Sequence, residues 1–148
     1  MVLASLDKFS DKVFMDEKKE REEVDKILEE LRIKAPSMET QLVQLSGGNQ
    51  QKVILGKWLL NSPKILLIDE PTKGIDVGTK ADFYNIMGRL TEQGVSIIMV
   101  SSDMPELISM SDRVIVFSNG RISQELKKGE IRSISGRGFL TIGHIIIG

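Results

Sequence analysis

The sequence contains no cysteine, which excludes disulfide bonds, thiolate metal sites and cysteine nucleophiles and fits a reducing cytoplasm. Long apolar runs are also lacking: none approaches the roughly 20 residues that span a bilayer, and residues 1–7 carry no pattern of a secretory signal. Neither sign of charge dominates, because 20 basic residues stand against 21 acidic ones. That balance disfavours nucleic acid as the main partner, since phosphate backbones select a basic face. The one histidine, His144, lies in the C-terminal segment, where we expect a surface or packing role.

What is present is the composition of a globular domain: 148 residues, 41% apolar and 28% charged. Apolar periodicity and breaker residues predict an alternation of helices and strands. The predicted helices lie at residues 16–31, 37–43, 46–61, 76–94 and 104–109, and the predicted strands at 64–69, 95–101, 113–117 and 121–126. Strand, helix and strand in alternation favour an α/β fold with right-handed crossovers and a mainly parallel sheet. A short helix is expected within residues 1–15, and residues 127–148 match no element.

The first motif is the run Leu-Ser-Gly-Gly-Asn-Gln-Gln-Lys at residues 45–52, which we call the glycine segment. It opens a predicted helix, and a helix start presents unpaired N–H groups and the positive end of its dipole. Gly47 and Gly48 allow close approach of a phosphate, and the Ser46 hydroxyl adds a donor. A plain serine cap after a turn is the better explanation when Ser-Gly-Gly is taken alone, because short motifs recur by chance.

The second motif is Ile-Leu-Leu-Ile-Asp-Glu-Pro-Thr at residues 65–72, a run expected to be covered on both faces and to end in two carboxylates. We call residues 69–72 the carboxylate turn. In α/β sheets, ligands gather beyond the carboxyl ends of strands. Two adjacent carboxylates, Asp69 and Glu70, suit phosphoryl transfer when one faces a magnesium ion and the other faces a water. An acidic turn without catalytic function is the alternative. A third motif, Gly-Ile-Asp-Val-Gly at residues 74–78, is the acidic turn.

Together the three motifs resemble the ABC-transporter ATPase family, in the variant form typical of carbohydrate importers. The glycine segment is similar to the signature motif, residues 65–72 to the Walker B motif with its catalytic glutamate, and the acidic turn to the D-loop. The resemblance covers about residues 1–126: a helical subdomain at about 1–62, a core at about 63–126, and a divergent tail at 127–148. It implies a partial P-loop NTPase domain, α/β with a helical subdomain.

The resemblance also implies a role for each motif residue. ATP would lie between two ABC domains, and Ser46, Gly47, Gly48 and Gln50 would touch the γ-phosphate of a nucleotide held by the partner. The remaining roles would be water-mediated magnesium binding by Asp69, general-base catalysis by Glu70 and domain–domain contact by Asp76.

Two departures from the family pattern stand out. The chain contains no Gly-x-x-x-x-Gly-Lys-Ser/Thr phosphate loop and no glutamine loop, so it looks like the latter half of an ABC domain. Ser102 stands at the switch position, where the family has a histidine, as in the second, degenerate ATP domain of tandem ribose-, galactose- or xylose-type importers. We therefore expect this chain alone to hydrolyse ATP poorly or not at all.

A structural consequence follows from the missing loop. In this fold the strand that leads into the phosphate loop lies beside the strand expected at residues 95–101. Without it, that strand is expected to have an unpaired apolar edge, with marginal stability or pairing to another chain.

The function implied by the resemblance is that of an ATP-binding and ATP-hydrolysing segment of a sugar importer that uses ATP and Mg²⁺. Its partners would be a second ABC nucleotide-binding domain, membrane permease subunits and, indirectly, a sugar-binding protein, on the cytoplasmic face of the membrane. Two alternatives remain open: a non-catalytic interaction module that complements a partner ABC ATPase, and another ATPase of the superfamily acting in DNA repair or translation.

Overall fold

The computed structural model describes residues 10–11, 14–15, 17–131 and 143–147, which belong to two compact units. The first unit comprises residues 1–63 and 74–83, and the second comprises residues 64–73 and 84–148. Most of the helix expected within residues 1–15 lies outside the described residues. Its described part is a small antiparallel pair, β1 (Ser10–Asp11) and β2 (Phe14–Met15), and not a helix.

The first unit contains helices α1 (Glu17–Glu30) and α2 (Gly47–Leu59), both within two residues of the predicted bounds. The short helix expected at residues 37–43 is absent, and only a 3₁₀ turn forms at Leu42–Gln44. The Thr40 hydroxyl accepts the Ser37 N–H at 3.1 Å. This local bond offers the backbone an alternative to helical hydrogen bonding, which explains the error.

The second unit is built on a five-stranded sheet. Its strands are β3 (Ile65–Asp69), β4 (Ser96–Ser101), β5 (Arg113–Ser118), β6 (Arg121–Lys127) and β7 (Gly143–Ile147), in the order β3-β4-β7-β5-β6. Three helices connect them in the chain: α3 (Val77–Glu92), which begins in the first unit, α4 (Met104–Met110) and α5 (Lys128–Ile131). Every strand and helix predicted from residue 46 to residue 126 is present.

Strand direction confirms the α/β class but not a mainly parallel sheet. β3 pairs parallel with β4, and β5 runs in the same direction, because β7 lies antiparallel to both β4 and β5. β6 returns antiparallel to β5 through the predicted hairpin at Asn119 and Gly120, whose φ angles are 50° and 73°. Two positive φ angles are the conformation that a two-residue hairpin favours. The sheet is therefore mixed.

The expected open edge on the strand at residues 95–101 was wrong, because β7 lies between β4 and β5 and pairs with both. Backbone position 145 lies opposite Met99 on one side and Val114 on the other. Among the described strands, β3 and β6 are the edges of the sheet. The prediction that β3 is covered on both faces was also wrong, because Leu66 is 5% exposed but Leu67 is 76% exposed.

The core of the second unit contains most of the predicted inner stripe of α3 and alternate residues of β4. Each of these side chains is at most 3% exposed: Ile86, Met87, Leu90, Ile97 and Met99. The remaining residue of the stripe, Phe83, belongs to the first unit and is 1% exposed. Burial of one such side chain is worth about 2 kcal/mol relative to leaving it in water. In the part of the chain that the structure describes, no helix combines the length and apolar character needed to cross a membrane.

Candidate functional site

The start of α2 presents the glycine segment to solvent. Ser46 is the N-cap, with extended backbone at φ −60° and ψ 153°. Its side chain does not cap the first turn, because the Ser46 hydroxyl accepts instead from the Asn49 side-chain amide at 3.1 Å. Ser46 and Gly47 are exposed. Backbone N–H groups of the first turn therefore remain available to an anion.

The two glycines of this segment have different environments. Among the described residues, a Cβ on Gly47 would meet only Ile75 Cγ2, at 3.8 Å, which is an ordinary contact. Gly48 is buried, and a Cβ there would lie 2.0 Å from Thr79 Cγ2. Close packing against the first turn of α3 therefore requires glycine at position 48. Sequence reasoning attributed this glycine to phosphate approach alone and missed that contact.

Asp76 caps α3, as predicted. The Thr79 N–H donates to Asp76 Oδ1 at 2.9 Å, and the Thr79 hydroxyl donates to Oδ2 at 2.6 Å. Hydrogen bonds from the Thr79 hydroxyl first, and from the Thr79 N–H second, hold the pKa of the Asp76 carboxyl below its ordinary value. Thr79 therefore both fixes the acidic turn and packs against the glycine segment.

A buried lysine provides a second link between α2 and the start of α3. Lys52 Nζ lies 3.3 Å from Asp82 Oδ2, with side-chain exposures of 5% and 54%. The Gln50 side-chain amide donates to the Leu45 carbonyl, within the glycine segment, at 2.9 Å. Contact of Gln50 with a phosphate stays a prediction. The lysine was not selected from the sequence, because nothing in its neighbours marks it as buried.

The carboxylate turn follows β3 and has a strained residue at its centre. Glu70 has φ of 45°, in the left-handed region that residues other than glycine rarely adopt. Its N–H donates to the Val100 carbonyl at 2.8 Å, and its Oε1 accepts the Ser102 N–H at 2.9 Å. Position 102 therefore meets Glu70 through its backbone. Sequence reasoning considered only the side chain there.

Asp69, by contrast, is exposed at the carboxyl end of β3. Among the described residues, no cluster of three or more His, Cys, Asp or Glu side chains forms a metal cage. A single carboxylate fits Mg²⁺ when water and phosphate oxygens supply the other ligands, which is the usual arrangement for that ion. The donor set thus fits a nucleotide-bound magnesium ion and not a free one.

The predicted site residues divide between the two units. The first unit holds Ser46, Gly47, Gly48, Gln50 and Asp76, and the second holds Asp69, Glu70 and Ser102. Within the first unit, Thr79 joins Gly48 to Asp76; within the second, a hydrogen bond joins Glu70 to position 102.

Comparison with known proteins supports the resemblance to ABC transporter ATPases. The family model described as "ABC transporter" matches residues 2–73. The ribose import ATP-binding protein of Bacillus subtilis is 52% identical over 130 residues, which are 88% of this chain and 26% of that protein. Over most of its length, the chain is similar to ATP-binding proteins of ABC transporters.

Other relatives and a solved structure agree. The xylose import ATP-binding protein of Geobacillus kaustophilus is 49% identical over 128 residues, 86% of this chain and 25% of that protein. A ribose import ATP-binding protein of Rubrobacter xylanophilus is 44% identical over 144 residues, 97% of this chain and 29% of that protein, so the similarity extends beyond residue 126. A dimeric bacterial ABC transporter cassette has a TM-score of 0.69 at 26% identity, over 86% of this chain and 52% of that one. The chain spans about a quarter of the curated relatives' length and about half of the solved cassette.

Proposed function

We propose that this chain is an ATP-binding segment of a sugar ABC importer and contributes half-sites to nucleotide bound between two ABC domains. The proposal rests on one observation, that the chain presents two groups suited to binding nucleotide. One is an exposed helix start whose serine does not cap it, and the other is a glutamate held at the end of β3.

The glycine segment would act in trans, on nucleotide held by a partner domain. The exposed hydroxyl of Ser46 and the first-turn N–H groups of α2 would bind the γ-phosphate. Gly47 leaves that approach open, because a Cβ there would have one neighbour within 4 Å in the part of the chain that the structure describes. Gly48 would act indirectly, by allowing α2 to pack against Thr79.

The carboxylate turn would act on nucleotide at this chain's own face. Asp69 would hold Mg²⁺ through water, and the ion would offset phosphate charge when bound. Glu70 would accept the proton of the attacking water as general base. The hydrogen bond from the Ser102 N–H orients Glu70 Oε1 and leaves Glu70 Oε2 for that water.

The proposed partners are a second ABC domain that carries a phosphate loop, membrane permease subunits and, indirectly, a sugar-binding protein. A solved relative is a dimeric cassette, and curated relatives are named for ribose and xylose import, which supports these assignments. The chain would lie on the cytoplasmic face of the membrane, against the permease. A ribose-like or xylose-like sugar is the proposed substrate class.

The trans role is tested by adding the purified chain to the ribose import ATP-binding protein of Bacillus subtilis and measuring ATP hydrolysis. We expect a saturable change in rate that Ser46→Arg abolishes, because the arginine blocks the helix start. Ser37→Arg is the matched control, since Ser37 is an exposed serine of the same unit outside the glycine segment. An effect that persists in Ser46→Arg would overturn the trans role.

The catalytic role is tested in the same assay with Glu70→Gln. If Glu70 is the general base, the chain-dependent increase in hydrolysis is lost. If the increase is intact, the chain is instead a non-catalytic module that complements its partner. Calorimetry with magnesium-ATP and the chain alone completes the test, because micromolar binding would require a phosphate cradle other than the absent loop.

A further inference from the structure

A buried glutamate lies behind the carboxylate turn. Glu106, in the first turn of α4, is 2% exposed, and hydroxyl groups donate to both of its carboxylate oxygens. The Thr72 hydroxyl donates to Oε1 at 2.9 Å, and the Ser101 hydroxyl donates to Oε2. Thr72 and Ser101 are themselves 2% and 1% exposed. A carboxylate in such a place is costly unless its hydrogen bonds are all made.

These bonds join the two segments that flank Glu70. Thr72 lies two residues after Glu70 in the carboxylate turn, and Ser101 immediately precedes Ser102. The Ser102 N–H donates to Glu70 Oε1 at 2.9 Å. Hydrogen bonds and the backbone therefore form a ring. Hydrogen bonds join Glu70 to Ser102, Ser101 to Glu106 and Glu106 to Thr72, and the backbone joins Ser101 to Ser102 and Thr72 to Glu70.

The direction of the hydrogen bonds also fixes the backbone after β4. A hydroxyl carries one proton, and Ser101 donates that proton to Glu106. Its lone pairs are then free to accept, and they accept the Asp103 N–H at 3.0 Å. The peptide planes on both sides of Ser102 are thereby held in one orientation. The Asp103 side chain accepts the Glu106 N–H at 3.4 Å, which ties the start of α4 to the same network.

We propose that Glu106 is a positioning residue, which holds the Ser102 N–H and the carboxylate turn so that Glu70 Oε1 is fixed. It touches no reacting atom. Its influence passes through the two hydroxyls to the strained backbone of Glu70, whose φ of 45° needs support from its surroundings. The catalytic meaning of this arrangement rests on the proposed function; the arrangement itself does not.

The test uses amide hydrogen exchange by NMR on the full chain without nucleotide, so it is independent of whether the chain hydrolyses ATP. Glu106→Met removes both acceptors at similar volume. We expect the Ser102 amide to exchange roughly tenfold faster, as for the loss of one supporting hydrogen bond. Amides of Ile97 and Met99, in the interior of β4, should be unchanged.

Milder variants guard against a failure of Glu106→Met to fold. Thr72→Val and Ser101→Ala each remove one donor, so each should accelerate Ser102 exchange by a smaller factor. Ser109→Ala is the matched control, because the hydroxyl bonds of Ser109 to the described residues go to α4 carbonyls, those of Pro105 and Glu106. Unchanged Ser102 exchange in all three network variants, or an equal acceleration of every amide in the sheet, would overturn the proposal. The exchange result does not depend on ATP hydrolysis, so the hydrolysis assay with the partner protein tests the proposed function separately.

Discussion

Gly48 and Thr79 are in such close contact that no side chain fits at position 48, since a Cβ on Gly48 would lie 2.0 Å from Thr79 Cγ2. We expect Gly48→Ala to lower the free energy of unfolding by about 1–3 kcal/mol, the usual effect of overpacking. Gly47→Ala should change it by less than about 0.5 kcal/mol, as at an open surface position. Urea denaturation of the two variants measures the difference.

A second substitution separates packing from helix propensity. Thr79→Ser removes Cγ2 but keeps the hydroxyl that bonds to Asp76. In Gly48→Ala combined with Thr79→Ser, part of the lost stability should return, and a double-mutant cycle measures that coupling. Equal stability of Gly48→Ala and the unmodified chain would show that the contact is not as close as the structure has it.

The Asp76 cap predicts a dependence of stability on pH. Its pKa is lower in the folded chain than the ordinary value of 3.8, so the ionised form is favoured by folding. The resulting stabilisation is fully present above pH 3.8 and is lost as the pH falls through the lower pKa of the folded state. Asp76→Asn should therefore be less stable than the unmodified chain near neutral pH, and the difference should vanish in acid. Thermal melts of both at several pH values provide the measurement, and a difference that persists in strong acid would contradict the assignment.

The Lys52–Asp82 pair predicts an asymmetry between its two partners. Asp82→Asn leaves the buried Lys52 ammonium without its carboxylate, so we expect a loss of about 1–3 kcal/mol, the range for an unsatisfied buried polar group. Lys52→Met removes the charge and keeps the apolar stem, so it should cost less. Chemical denaturation compares the two variants, with Lys57→Met as control on the same helix. Greater damage from Lys52→Met would mean that the ammonium has another partner.

The order of helices and strands was predictable because each signal is local. Apolar spacing shows α3 and β4, Asp76 shows where α3 begins, and Asn119 with Gly120 shows the hairpin. The candidate site residues could also be selected from the sequence, since their motifs are contiguous in the chain, and their roles stay predictions.

Other features depend on neighbours that the sequence places far apart. Thr79 decides the role of Gly48 from 31 positions further along the chain, and the Thr72 hydroxyl that bonds to Glu106 lies at a separation of 34 positions. The position of β7 depends on β4 and β5, the two strands between which it pairs. No local pattern in residues 127–148 contains that information, and the mixed sheet could not be predicted.

The φ angle of Glu70 predicts an unusual response to substitution. Alanine and glycine both remove the carboxylate, but only glycine adopts φ of 45° without strain. Glu70→Gly should therefore be more stable than Glu70→Ala by about 1 kcal/mol, although glycine normally reduces stability. Equilibrium denaturation of the two variants measures the contribution of backbone strain to the free energy of unfolding, because neither variant retains the side-chain hydrogen bond to the Ser102 N–H. If Glu70→Ala is the more stable of the two, the turn is not strained at this residue.

The central position of β7 predicts that its backbone supports the whole sheet. Ile145 lies between Met99 of β4 and Val114 of β5. A proline there has no N–H to donate and is not tolerated in a central strand. Ile145→Pro should lower the free energy of unfolding by at least about 1 kcal/mol, the net value of one hydrogen bond.

Hydrogen exchange shows whether that loss arises in the sheet. Amides of residues 97–101 and 113–116 should exchange faster in Ile145→Pro, while amides of α2, in the other unit, should not. Ile145→Val is the control, because it keeps both the N–H and a β-branched side chain. Unchanged exchange in β4 and β5 would mean that β7 does not hold these strands together. The edge of β4 would then be open in solution, as the missing phosphate-loop strand led us to expect, and the chain would pair with other copies at high concentration.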